Sequence, residues 1–241
     1  MEFMVVQTPD AYRGVDNLEV MEVAVNYRRY LGDLLRSAGG PPRPGHRTLD
    51  FGAGVGTYAR TARDLGYDVT CVDLDPDLCA RLRADGFTTH ETTAEIADGT
   101  FDLTYTLNVL EHLDDDGAAL RELRRVTVPS GRLLVYVPAF PILYSSMDRK
   151  VGHVRRYRKA ELAGRVRQAG FVIERCVHAD SLGFLASLAF RVAGNSDGSL
   201  SERPVAAYDR WAFPLSRRLD RLFGPAFGKN LVVEARPRGA R

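Results

Sequence analysis

Leu49-Asp50-Phe51-Gly52-Ala53-Gly54-Val55-Gly56-Thr57, followed after a short helical stretch by Val69-Thr70-Cys71-Val72-Asp73, decides the fold of this 241-residue chain. The two runs read as strand, glycine loop, helix, second strand and an acid at that strand's end. Gly52, Gly54 and Gly56 let the backbone turn sharply and bring a ligand close, because no Cβ stands in the way. Their G-x-G-x-G spacing differs from the G-x-G-x-x-G of dinucleotide loops, which seat a pyrophosphate on a helix N-terminus. Thr57 fills the place of that pattern's third glycine. Asp50 discriminates further: a carboxylate at the loop's mouth repels a pyrophosphate and suits an ammonium. Asp73, 19 residues beyond Gly54, can accept hydrogen bonds from both hydroxyls of a ribose, and Leu74 can pack on an adenine face. The pattern favours a zwitterionic adenosyl ligand over a nicotinamide dinucleotide.

Composition narrows the class. Charged residues are 27% and hydrophobic residues 45% of the chain, values of an ordinary soluble protein long enough for a full core. A net charge of +2 gives no global field to draw in nucleic acid. Arginine dominates the basic residues, with lysine only at Lys150, Lys159 and Lys229. Cys71, Cys79 and Cys176 show no metal-ligand spacing, and no metal site is expected. Cys71 and Cys176 lie in apolar runs and read as small core residues. The N-terminus carries no basic-then-apolar block, so a cytoplasmic protein without a signal peptide is expected. The longest apolar run, residues 182–193, is too short to span a bilayer, so no integral membrane segment is expected.

Along the chain, Leu18, Met21, Val25, Tyr30 and Leu34 approach helical spacing over residues 17–37, with Asp16 or Asn17 as the cap. Strands and helices then alternate over residues 46–180, the pattern of a parallel sheet covered on both faces. Residues 114–126 and 159–169 read as helices and residues 171–177 as the sixth strand. An apolar helix over 181–192, a glycine-rich segment over 194–199, an amphipathic helix over 204–223 and a closing strand over 230–235 complete the chain.

With these elements in order, the chain resembles the class I S-adenosylmethionine-dependent methyltransferases. Leu49 to Gly56 is similar to that family's first motif, and Val72-Asp73-Leu74-Asp75-Pro76 to its second. Phe101-Asp102-Leu103-Thr104-Tyr105-Thr106-Leu107-Asn108-Val109-Leu110-Glu111-His112-Leu113 is similar to its fourth-strand motif. Ser130-Gly131-Arg132-Leu133-Leu134-Val135-Tyr136-Val137-Pro138 is similar to its fifth. The resemblance covers nearly the whole chain. It is nearest to a bacterial small-molecule branch, related to the quinone-biosynthesis methyltransferases, that carries Gly152-His153-x-Arg155-Arg156-Tyr157.

The resemblance implies an α/β fold, a Rossmann-like doubly wound sheet of seven strands with an antiparallel C-terminal strand and cap helices at both ends. One domain spans 1–241, divided into a helical cap (1–45), a cofactor-binding core (46–180), a helical substrate cap (181–228) and a closing strand with tail (229–241). The implied cofactor is S-adenosylmethionine, held by Tyr27, Asp50, Gly52, Ala53, Gly54, Gly56, Asp73, Leu74, Ala94 and Asn108. Asn108 falls near the methionine part, and the helix bearing Tyr27 and Tyr30 acts as a lid or simply packs. In one departure, Glu91-Thr92-Thr93-Ala94-Glu95 has threonines where the family often has an acid for the adenine amino group. Adenine would then be read by the backbone near Ala94 or by a threonine hydroxyl.

Methyl transfer from a sulfonium is an in-line displacement on an activated donor, so the protein mainly aligns the reactants and excludes water. A base is needed only where the acceptor must lose a proton. His153 is the first candidate, since an imidazole titrates near neutral pH. Arg155, Arg156 and Tyr157 beside it could hold a carboxylate, phosphate or phenolate, or the arginines could pair with surface acids. His112 reads as a cofactor or acceptor contact, or as a structural histidine. Phe184, Leu185, Phe190, Trp211 and Phe213 suggest a hydrophobic acceptor such as an isoprenoid, polyketide or aromatic metabolite. They could equally form a helical cap or a homodimer surface. Competing readings are an NAD-dependent oxidoreductase, disfavoured by Asp50 and the glycine spacing, and a non-catalytic S-adenosylmethionine-binding protein.

Overall fold

A computed structural model describes residues 23–193, 201–223 and 226–239. The expected cap at Asp16 or Asn17, the apolar positions Leu18 and Met21, and the segment 194–199 lie outside them. Helix α1 (Val25–Gly39) buries Leu31, Leu34, Leu35 and Ala38, the i, i+3, i+4, i+7 stripe of an amphipathic helix. The core then runs β1 (Arg47–Phe51), α2 (Thr57–Asp64), β2 (Asp68–Val72), α3 (Pro76–Ala84), β3 (Thr88–His90), β4 (Phe101–Leu107), α4 (Asp116–Val126) and β5 (Thr127–Pro138). After a short α5 (Ser146–Lys150) come α6 (Lys159–Gln168) and β6 (Phe171–Ala179). The C-terminal part adds α7 (Ser181–Ala193), α8 (Glu202–Ala207), α9 (Phe213–Phe223) and β7 (Asn230–Pro237).

The seven strands form one sheet in the order β3-β2-β1-β4-β5-β7-β6. Strand β7 slots antiparallel between β5 and β6, while the other pairings are parallel. Both faces are covered, so the central strands are apolar on both sides. Along β5, Leu133, Val135 and Val137 join the layer of Leu120, Leu123, Leu162 and Val166 from α4 and α6. Leu134 and Tyr136 alternate to the other face, with Leu31, Leu35, Ala59, Ala62 and Leu82 of α1, α2 and α3. Cys71 is buried in that second layer, and Cys176 packs at the edge of the first.

The expected single helix over 204–223 is broken by a π-helical turn, Tyr208–Ala212. Pro214 has no N–H to return to the Arg210 carbonyl. The Phe213 N–H instead bonds the Tyr208 carbonyl, five residues back. This turn carries Asp209, a buried acid with a distant task. Helix α1 has no acid in its first turn and no side-chain cap from Ala24. Asp209 supplies the missing acceptor, taking the Asn26 N–H at 2.9 Å and the Tyr27 N–H at 2.8 Å. Asp220 likewise accepts the Asp180 and Ser181 N–H groups at 2.8 Å, and Ser216 Oγ accepts Leu182 N–H at 2.9 Å. One C-terminal segment therefore caps both α1 and α7.

Asp209→Ala removes two buried acceptor contacts at once. Since a lost cap costs about 0.5–2 kcal/mol and a buried unsatisfied donor about 1–3, the variant should lose about 2–3 kcal/mol in urea unfolding. A change below about 0.5 kcal/mol would show that water replaces the carboxylate.

Candidate functional site

The strand order reverses between β1 and β4, and in such sheets ligands bind at the carboxyl ends flanking that point. The glycine loop lies there. Gly52, Gly54 and Gly56 all have left-handed backbones, with φ of +80°, +55° and +81°. The Gly52 and Ala53 N–H groups both bond the Val72 carbonyl, at 2.8 and 3.1 Å, which folds the loop back over β2. A Cβ on Gly52 would stand 2.4 Å from Val109, whereas one on Gly54 would meet nothing within 4 Å. Gly54 thus faces open crevice.

Two acids frame this loop. Asp73 accepts the Gly54 N–H at 2.7 Å through Oδ2 and the Asp75 N–H at 3.0 Å through Oδ1. Each carboxylate oxygen retains acceptor capacity beyond these single bonds. Asp50 is 3% exposed, and its Oδ2 has no hydrogen-bond partner. Burial pushes its carboxyl up to about 7, with the Tyr105 hydroxyl pulling the other way and the Asp73 charge adding to the rise. Leu74 stands exposed at the rim. Ala94 sits exposed on a 3-10 turn (Thr93–Glu95), its N–H donated to Thr92 Oγ1 at 3.2 Å. That bond engages the amide that was expected to read adenine.

The far side of the crevice is strained. Asn108, Phe140 and Asp180 follow the ends of β4, β5 and β6, and they are the described non-glycine residues with positive φ, at 57°, 59° and 63°. Such conformations cost about 1–3 kcal/mol each and gather where function fixes the backbone. Tyr27 reaches in from α1, its ring 6.1 Å from Tyr136 and 5.6 Å from Phe213. Burial pushes its phenol up to about 12, with the nearby Tyr136 and Asn108 side chains pulling the other way. Phe140 stacks on His178 at 4.9 Å and meets Phe184 edge-on at 5.2 Å, and Phe184 lies 5.5 Å from Phe227. Phe213 is buried against Tyr27 and Tyr30. Trp211 and Leu185, read as acceptor contacts or as part of a cap or homodimer surface, point outward at 71% and 54% exposure.

The loop between β5 and α6 is organised by Asp148, which sequence reasoning passed over. Its carboxylate accepts from Ser145 N–H and Oγ, from Arg156 Nε and Nη2 at 2.8 and 3.0 Å, and meets His153 Nδ1 at 2.7 Å. Burial alone would raise this carboxyl, but the His153 and Arg156 hydrogen bonds outweigh it and hold it well below the usual carboxylate range. Arg156 is therefore a buried partner of Asp148, not a free anion clamp. Arg155 turns to buried Asp116 at 3.3 Å and to the Asp114 carbonyl at 3.0 Å. Tyr157 is fully buried, its hydroxyl 2.6 Å from Asp116 Oδ2 and 2.9 Å from the Leu110 carbonyl. Burial and Asp116 push that phenol far up. The catalytic role expected of Tyr157 is corrected accordingly: it ties the loop to the turn after β4 and to α4.

His153 and His112 do come together, edge to face at 4.7 Å between ring centres. His153 Nε2 lies 3.7 Å from Glu111 Oε1. Glu111 is fully buried, both its side-chain oxygens lack hydrogen-bond partners, and burial pushes its carboxyl up to about 8. Burial, with the neighbouring His153, pushes His112 down to about 4. Ligand atoms of Glu111, His112 and His153 all lie within 4.8 Å of one another, a convergence of metal-ligand types that the cysteine spacing gave no hint of. A separate cleft at the opposite edge of the sheet, lined by Gly39, Pro42, His46, Asp102 and Arg132 among others, contains none of the expected site residues.

Comparison with known proteins identifies the family and the fold. The profile of a family described as a methyltransferase domain matches residues 23–175. A 37.1 kDa protein of transposon Tn4556 from Streptomyces fradiae is 29% identical over 244 residues, covering 91% of this chain and 68% of its own. The malonyl-[acyl-carrier protein] O-methyltransferase of Pseudescherichia vulneris is 34% identical over 43% of each chain. The demethylmenaquinone methyltransferase of Beutenbergia cavernae is 39% identical over 39% of this chain and 41% of its own. The chain thus spans less than half the length of the latter two. Among solved structures, an S-adenosylmethionine-dependent methyltransferase from Archaeoglobus fulgidus superposes with TM-score 0.60 at 17% identity, covering 94% of this chain and all of the other. The Haemonchus contortus phosphoethanolamine N-methyltransferase 2, solved with S-adenosyl-L-methionine, gives 0.59 at 15% identity, covering 96% and 61%.

The glycines of the loop separate on stability. Gly54→Ala incurs only the left-handed penalty, about 1–2 kcal/mol. Gly52→Ala adds a collision with Val109, and overpacking costs about 1–3 kcal/mol more. Urea unfolding should rank Gly52→Ala clearly below Gly54→Ala; equal losses would contradict the loop geometry.

Proposed function

Because the chain belongs to the class I S-adenosylmethionine-dependent methyltransferases, we propose that its crevice pairs the cofactor with a small hydrophobic or aromatic acceptor, for in-line methyl transfer. Asp50 carries the reading: a buried carboxylate with an orphaned oxygen, next to a loop left open at Gly54. Leaving such a group unpaired is costly, and an ammonium resolves it. S-adenosylmethionine, when bound, supplies a methyl group already activated by its sulfonium.

The chain's own residues do the rest. Asp50 holds the ammonium, and Gly52, Ala53, Gly54 and Gly56 give the backbone approach. Asp73 takes the ribose hydroxyls while keeping its bond to the Gly54 N–H. Leu74 and the turn at Ala94 flank the adenine. Asn108 and Tyr27 close over the methionine end, and the aromatic set of Phe140, His178 and Phe184 forms a wall for the acceptor. Relatives named for demethylmenaquinone and for ubiquinone biosynthesis support a quinone-like or phenolic acceptor. His153, oriented by Asp148, receives the acceptor's proton where one must leave. No helix among the described residues is long and apolar enough to cross a membrane, which supports a cytoplasmic setting.

Proton linkage at Asp50 tests the cofactor site. Its folded value of about 7 lies above that of an exposed aspartate, so the ligand-free protein carries the proton below about pH 7. Binding an ammonium requires the charged form and expels that proton. Affinity for S-adenosylmethionine should therefore fall as pH drops below about 7, approaching tenfold per unit. Asp50→Asn should flatten this slope and weaken binding about tenfold or more near pH 8, the worth of a charge-assisted bond. Calorimetry that finds pH-independent affinity in the unsubstituted protein removes Asp50 from the ammonium site. Tight NAD binding with no response to S-adenosylmethionine would overturn the reading as a whole.

Methyl transfer itself is read by S-adenosylhomocysteine release against a panel of phenols, hydroquinones and fatty acyl carboxylates. His153→Ala should lower turnover on the accepted substrate by about a hundredfold or more, the usual worth of a positioned acid or base. Unchanged turnover at every pH would exclude His153 from proton transfer.

A further inference from the structure

We infer that Glu111, His112 and His153 form a binding site for a divalent first-row transition cation, at the acceptor side of the crevice. The inference rests on the proposed function for its place near the acceptor; with a cation bound, His153 Nε2 is a ligand and no longer a proton acceptor. One carboxylate and two imidazoles are a donor set suited to zinc, iron, cobalt or manganese more than to magnesium or calcium, which prefer oxygen ligands alone.

The geometry is close to what coordination needs. Tetrahedral ligands at zinc distances of about 2.0–2.1 Å stand roughly 3.3 Å apart. Glu111 Oε1 and His153 Nε2 are already 3.7 Å apart. The whole set lies within 4.8 Å, so the widest pair need close by about 1.5 Å at most, within reach of small side-chain rotations.

An independent observation points to a ligand. Glu111 is fully buried, yet neither of its side-chain oxygens has a hydrogen-bond partner. A buried carboxylate in that condition is a costly feature unless a cation completes it. His153 approaches at 3.7 Å, beyond hydrogen-bonding reach.

The surrounding groups are arranged as supports for metal ligands. Metal-bound histidines characteristically give their second ring nitrogen to a carboxylate or a backbone carbonyl, which fixes the ring. His153 Nδ1 is 2.7 Å from Asp148, which is itself fixed by Arg156 and Ser145, leaving Nε2 directed at Glu111. His112 is held by the Gly152 backbone. The two segments that meet are also locked together: Val154 N–H donates to the Glu111 carbonyl at 2.9 Å, and Tyr144 Oη donates to the His153 carbonyl at 2.7 Å. Three protein ligands leave one or more coordination positions for an oxygen of the acceptor or water.

The test uses the full chain, stripped with chelator and titrated with Co²⁺ by visible absorption and with Zn²⁺ by calorimetry. One equivalent of either ion should bind. His112→Gln and His153→Gln should each weaken binding at least about a hundredfold. Asp148→Asn, which acts through His153, should weaken it about 10–100-fold. Affinity for S-adenosylmethionine, measured in chelator on every variant, reports whether the fold survives. If a histidine variant does not fold, the unsubstituted protein decides alone, because absence of one-equivalent binding overturns the site. Equal binding by folded histidine variants overturns it too. If S-adenosylmethionine binds and neither ion does, only the cation is lost and the methyltransferase reading stands. Ion binding without S-adenosylmethionine binding does the reverse.

Discussion

A carboxylate buried away from water must find donors or a cation, and this constraint organises the carboxyl edge of the sheet. Asp148, Asp116, Asp209 and Asp180 are all nearly or fully buried there, and each is satisfied within the chain. Asp148 takes Arg156 and His153, Asp116 takes Tyr157, Arg155 and Arg165, Asp209 takes the first turn of α1, and Asp180 takes Gly183 N–H and the Tyr208 hydroxyl. Those of Asp116 and Asp209 join segments far apart in sequence, because a charge removed from water must find its partners wherever the fold brings them. Asp50 and Glu111 break the rule, each keeping unpartnered oxygen at the crevice. The exceptions identify where the chain expects something that it does not itself provide.

The acids also explain why the cap helices sit where they do. Helix α1 has weak local means of starting, and Asp209 supplies its cap from 183 residues away. Helix α7 begins immediately after Asp180, whose positive φ turns the chain off β6, and Asp220 with Ser216 receives the first free N–H groups. A bond to a charged acceptor is worth about 1.5–3 kcal/mol, and removing the acceptor also leaves its donor unmet inside the protein at the full desolvation cost. The caps hold through this asymmetry.

The sheet was legible because its information is local. The glycine loop, the alternation of apolar runs and the closing strand from Asn230 each carry their signal within a few residues. The resemblance supplied the antiparallel placement of β7, which no short-range pattern encodes. The broken helix at Tyr208–Ala212 was missed since Pro214 can sit in a first helical turn as readily as at a π turn. The sequence leaves the loop after β5 open between an anion clamp and arginines paired with acids, because arginine and tyrosine look alike in sequence whether they face a ligand or a buried acid. Asp148 was invisible for the same reason: it stands five residues before His153 and eight before Arg156, a spacing with no regular periodicity. The chemistry of Trp211 and Leu185 fits an acceptor wall as well as an exposed face, and it is the exposed face that they occupy.

The same geometry couples the two ends of the crevice. Tyr27 lies over the expected methionine end, and its helix is capped by Asp209; Phe184 lies in the aromatic wall, and its helix is capped by Asp220 and Ser216. Both caps come from the one stretch Asp209 to Asp220, carried on the π turn and α9. Phe213, between the two caps, is buried against Tyr27 and Tyr30, so this stretch cannot shift as a body without disturbing α1. A displacement of α7 therefore bears on α1 as well, through packed side chains and charge-assisted hydrogen bonds. Such coupling is reciprocal in binding free energy. Whatever settles Tyr27 would favour one placement of Phe184, and whatever settles Phe184 would steady α1 in turn.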